Sequence, residues 1–74
     1  MIKNYSLDKQ TKRDIGAALW QMRHEKHLYL QNISARTKIP CRIIEGMELG
    51  KFIQYGALRR LTEFYGKKIK ITFE

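Results

Sequence analysis

The chain has little of what most site chemistry requires. Its 74 residues include one cysteine, one proline and two histidines. A single cysteine, Cys41, excludes an internal disulfide, and with His24 and His27 it makes no zinc-ligand spacing. No stretch approaches the roughly 18 apolar residues of a membrane span. The opening MIKNYSLDKQTKR holds no apolar run of the kind that marks a secretory signal. These two absences give a cytoplasmic location as the expectation. No paired carboxylates, Ser/His or Cys/His constellation, phosphate-cradling glycine loop or metal cluster stands out. An enzyme is therefore not expected, and neither a cofactor nor a small-molecule ligand is implied. Acidic residues are scarce: seven against fifteen basic ones, for a net charge of +8.

What is present suits one small domain over residues 1–74. Such a chain buries only about 60% of the surface it exposes when unfolded, so modest stability is expected. The basic excess points to nucleic acid, an anionic surface or an acidic partner, beside the plain reading of a solubilising surface. The basic residues are spread out, without a long run of like charge, which argues against a disordered basic tail. If they act together, the fold must gather them.

Helical periodicity organises most of the chain. Ile15, Ala18, Leu19 and Met22 share one face of a first helix over about 12–26, with Thr11 as N-cap and Asp14 three residues on. Trp20 lies off that stripe, placed to cover a satellite cluster or to mark an interface. A second helix covers about 30–37, with Ile33 and Thr37 inward, and Lys38-Ile39 makes a turn anchored by Ile39. A third helix runs from Pro40 to about Leu49 with Ile44 and Met47 inward. Proline suits a first turn, and Gly50 ends the helix. A fourth covers about 56–65, with Ala57, Leu58, Leu61, Phe64 and Tyr65 inward. Then the period changes. Ile69, Ile71 and Phe73 alternate with polar residues, as in a half-buried strand over about 68–73. A lone strand leaves its backbone unpaired, so a partner is needed, either Ile2–Tyr5 or the same tail of a second molecule. The second choice makes a homodimer through Ile69, Ile71 and Phe73.

One charge sits on the wrong side of its helix. Glu48 lies one turn after Ile44 and next to Met47, at the edge of the inner stripe. Carboxylates are almost never buried without a partner, and Arg23 at the edge of the first helix's stripe supplies one. A structural ion pair between Arg23 and Glu48 is expected.

These residues together resemble the lambda-repressor-like (Cro/XRE) helix-turn-helix family. The resemblance runs from Ile15 to Ile69. It is carried by Ile15-Gly16-x-x-Leu19-x-x-x-Arg23, Leu28, Ile33-Ser34, Ile39, Ile44, Met47-Glu48-Leu49-Gly50, Leu58, Leu61 and Gly66. The Arg…Glu-x-Gly framework is the most specific part. In that family the arginine and glutamate at these two positions often form a buried pair. The chain departs from the pattern at His27 and Lys38, where glycine is usual, and at Tyr29, where a Ser or Thr cap is usual. A second, narrower resemblance is to the helix-turn-helix domain of RodZ-type cytoskeletal proteins. It rests on Thr37-Lys38-Ile39-Pro40, Glu48-x-Gly50-x-Phe52, Tyr55, Leu58-Arg59 and Tyr65. Those domains bind a bacterial actin homologue and precede a transmembrane segment, and no apolar stretch of that length occurs in this sequence.

The first resemblance implies an all-α, compact four-to-five-helix domain with a short C-terminal β-strand, its helix-turn-helix motif at about 30–49. It implies a small transcriptional regulator that binds double-stranded DNA with the third helix in the major groove. The base-contact candidates are Cys41, Arg42, Ile43, Glu45 and Gly46. Among them only Arg42 offers a fork for guanine, and Gly46 reads nothing but permits close approach. The phosphate-contact candidates are Gln31, Lys38, Lys51, Gln54 and Tyr55. The second resemblance implies a protein-interaction module on the same fold.

Overall fold

The computed structural model describes residues 8–66. The expected strand at 68–73, with Ile69, Ile71 and Phe73, and its candidate partner Ile2–Tyr5 lie outside the described residues. The described chain is all-helical: α1 Lys9–Glu25, α2 Leu30–Thr37, α3 Cys41–Glu48 and α4 Tyr55–Tyr65. None of these helices is long and apolar enough to cross a membrane.

The first helix begins one turn before the expected Thr11 cap. Asp8 is the N-cap, and its Oδ1 accepts the Thr11 N–H at 2.7 Å. That backbone hydrogen bond holds the Asp8 carboxyl below the usual carboxylate range. Gln10 then donates to Asp14 Oδ1 at 2.8 Å, supporting the added turn. Asp and Thr are both good caps, and here they stand one turn apart; the carboxylate takes the role because Thr11 then serves as the third helical residue. Likewise α3 starts at Cys41, with Pro40 as its N-cap rather than its first residue. The fourth helix starts at Tyr55, one residue early, after Gln54.

All four described helices end at left-handed residues, α4 at Gly66 (φ 71°). After α1, the His27 N–H reaches His24 O at 3.0 Å and the Leu28 N–H reaches Arg23 O at 3.3 Å. After α3, the Gly50 N–H reaches Met47 O and the Lys51 N–H reaches Gly46 O, both at 3.0 Å. These are paired Schellman bonds, which require a residue of positive φ between them. His27 (φ 56°), Lys38 (φ 66°) and Gly50 (φ 76°) take that conformation. The two non-glycine residues do so at a steric cost that glycine would avoid. At the start of α2, Asn32 Oδ1 accepts the Tyr29 N–H at 2.8 Å, so the first turn is held without a Ser or Thr cap.

Every helix contributes a fully buried side chain to one core: Leu19, Ile33, Ile44, Met47 and Leu61. Ile39 pins the turn between α2 and α3 into the same core. The third helix packs on α1 and α2, and α4 closes the core against the same two. Phe64, expected inward, is only partly buried, because Leu61 and Tyr65 occupy the centre of the stripe and leave it at the edge. Trp20 remains half-exposed and stacks on His24, ring centroids 3.7 Å apart.

Candidate nucleic-acid interface

Arg23 is the hub that orients α2 and α3. Its Nε donates to Glu48 Oε2 at 2.7 Å and its Nη2 to Glu48 Oε1 at 2.9 Å. The third arm of the guanidinium, Nη1, donates to Leu28 O at 3.0 Å. Both side chains are largely buried, with 11% and 5% of their surface exposed. One residue thus ties the last turn of α1, the chain entering α2 and the last residue of α3. The fork geometry is the strong, bidentate form of an ion pair. The hydrogen bonds that Arg23 donates to Glu48 raise its pKa further still, so the charge is permanent.

Tyr65 completes this buried region from α4. Its hydroxyl is buried and has no hydrogen-bond partner among the described residues. Burial, and then the charge of Glu48, push the phenol up to about 12. The ordinary value is about 10, so the folded protein holds the proton where the unfolded chain releases it. That contribution to stability is complete below pH of about 10 and is lost as pH rises through about 12. Denaturant midpoints measured across this range are therefore expected to fall more steeply for the wild type than for Tyr65→Phe. At neutral pH the substitution should be neutral or slightly stabilising, because it removes an unpaired buried hydroxyl. Equal alkaline slopes for the two proteins would contradict the placement.

With Ile44 and Met47 locked inward, α3 turns Arg42, Glu45 and Leu49 to solvent; these stand three and four residues apart and form one stripe. Cys41 and Ile43 flank the stripe and are partly buried. Gly46 departs from its expected position on the open face. It is buried under Phe52, and a Cβ added there would stand 2.5 Å from the ring. The glycine lets the ring lie directly on the helix, so no ligand can approach the backbone at that point while Phe52 stays in place. Phe52 was not among the candidate residues. Its signal is an aromatic placed just beyond the left-handed Gly50, where a residue folds back over the last helical turn.

The five phosphate-contact candidates are all exposed: Gln31 at the start of α2, Lys38 in the turn, Lys51 and Gln54 in the loop, and Tyr55 opening α4. Gln54 makes no side-chain cap to the first turn of α4. Leu49 (59% exposed), Phe52 (36%) and Tyr55 (45%) add exposed apolar side chains to the segment that follows α3. Comparison with protein-family models, with curated proteins and with solved structures finds no match to this chain.

Proposed function

We propose that the chain is a small DNA-binding protein of the lambda-repressor-like kind, with α2, the Lys38–Pro40 turn and α3 as its helix-turn-helix and α3 laid in the major groove. One observation carries this reading. The outer stripe of α3 is open and bears Arg42, while its inner face is locked by Ile44, Met47 and the Arg23–Glu48 pair. Arg42 takes guanine O6 and N7 with its fork, for about 1–3 kcal/mol of discrimination. Glu45 accepts from a cytosine amino group, and Ile43 and Cys41 offer apolar contact to a thymine methyl. Lys38 and Lys51 stand at either end of α3, where they neutralise phosphates with Gln31, Gln54 and Tyr55 beside them. The net charge of +8 supports the same use.

The test is selection of bound sequences from a random duplex pool, followed by titration of the winning sequence at several salt concentrations. Log affinity should fall steeply with log salt. Arg42→Ala is expected to relax the preference at one base position. Lys51→Ala should instead weaken all sequences alike and flatten the salt slope by about one unit. Equal effects of both substitutions on all sequences would contradict the roles given to them.

The exposed Leu49, Phe52 and Tyr55 favour a second reading, a protein-interaction module on the same fold, since aromatic residues are enriched at interface centres. It predicts no salt-dependent duplex binding and a partner lost on Phe52→Ser.

A further inference from the structure

A second surface runs along the junction of α2 and α4; it includes no residue of α3 and shares Gln31 with the proposed phosphate rim. A hollow of about 260 Å³ is walled by Leu28, Ala35 and Phe64 and edged by the amides of Gln31 and Asn32. Arg36 and Phe64 line it and also line an adjoining shallow, open depression that extends to Arg60, so the two form one continuous groove. The carboxylate in this groove, Glu63, is engaged by Arg59 Nε at 3.4 Å. Arg36 and Arg60 have no ion-pair partner among the described residues. Asn32 spends its Oδ1 on the Tyr29 N–H, which leaves its amide hydrogens to donate outward. The groove therefore combines an apolar wall, two guanidinium groups without an ion-pair partner among the described residues, one carboxylate paired with Arg59, and amide donors.

We propose that this groove docks a short acidic peptide segment of a partner protein. An aliphatic or aromatic side chain of the segment sits against Leu28, Ala35 and Phe64, and its carboxylates meet Arg36 and Arg60. Guanidinium forks match carboxylates in the bidentate geometry that makes such pairs strong. An apolar anchor flanked by matched charge is the usual form of a peptide lying in a helical groove. A DNA backbone fits less well. It would satisfy the arginines but leave the apolar wall uncovered, and no residue of α3 lines either hollow.

A phage-displayed library of random peptides, about a dozen residues each, tests the assignment. It is selected on the immobilised full-length protein and counter-selected on Ala35→Glu. Ala35 is exposed on α2, so the substitution places a carboxylate in the groove without disturbing the core. The enriched peptides should carry net negative charge and at least one large apolar residue. In fluorescence anisotropy they should lose about tenfold or more in affinity for Ala35→Glu and for the Arg36→Ala/Arg60→Ala double variant. They should bind Arg42→Ala as tightly as the wild type. Circular dichroism checks that each variant is folded. Three results would overturn the proposal: no enrichment above the bare support, enriched peptides without acidic excess, or binding to the groove variants as tight as to the wild type. A fourth is loss of duplex binding in the double arginine variant with peptide binding unchanged, which assigns those arginines to a DNA backbone. None of these outcomes depends on whether α3 reads DNA.

Discussion

Glu48→Gln is expected to lower the stability of the folded chain by about 3 kcal/mol or more, because it leaves the Arg23 charge buried without its counter-charge. Glutamine keeps one acceptor for Nε or Nη2 but cannot satisfy both arms, and the amide end opposes a donor with a donor. For a domain of this size that is a large share of the whole stability, which runs at roughly 0.05–0.15 kcal/mol per residue. Guanidinium or urea denaturation measures it, and a midpoint unchanged from wild type would mean that the pair is not buried in solution. The reverse experiment separates the pair's net worth from the cost of breaking it. Arg23→Met combined with Glu48→Leu fills the same space without charge and should recover most of the loss. What the double variant cannot restore is the bond from Arg23 Nη1 to Leu28 O, which fixes where the chain enters α2. The paired charges are thus better understood as an orienting device for α2 and α3 than as a source of net stability.

How far this could be read in advance follows from the kind of information each feature needs. The Arg23–Glu48 pair was legible because each residue stands at the edge of its helix's apolar stripe, and a carboxylate drawn toward the core needs a partner. The helix cores were legible for the same reason: Ile15, Leu19 and Met22, or Leu58, Leu61 and Tyr65, repeat at helical spacing and are buried together. The unusual left-handed residues were legible as departures, since His27 and Lys38 stand where glycine is usual and both have positive φ. The start of α1 was not legible. Asp8 and Thr11 are both competent caps, and no apolar residue lies between them to show which turn is helical. The fate of Gly46 was not legible either. On a helical wheel it belongs to the outer face, and only the path of the loop after Gly50 brings the Phe52 ring over it. The groove between α2 and α4 has the same origin. Phe64 falls at the edge of a stripe, and whether an edge residue closes a core or walls a groove depends on how the neighbouring helix lies.

The second large effect belongs to Gly16, the point where α1 crosses the end of α3. A Cβ placed there would stand 2.5 Å from Met47 O and 2.6 Å from Glu48 O. Both are backbone atoms, so no side chain can rotate aside to make room; the two helices must separate. Gly16→Ala is therefore expected to destabilise the chain by about 2–3 kcal/mol, despite the better helix propensity of alanine, which alone would add about 1 kcal/mol of stability. The effect should be coupled to Glu48. Moving α3 away from α1 at Gly16 lengthens the Arg23–Glu48 contact, which depends on the same crossing. A double-mutant cycle of Gly16→Ala with Glu48→Gln should show losses smaller than the sum of the two, as for residues sharing one contact. Strict additivity would mean that the crossing relaxes by bending α1 locally and leaves the ion pair untouched. If instead the coupling is found, the closeness of α1 to α3 at Gly16 and the charge lock at Arg23 are one device. On the DNA-binding reading proposed above, loosening either is then expected to lower duplex affinity without removing a contact, because the tilt of Arg42 is set from behind the helix.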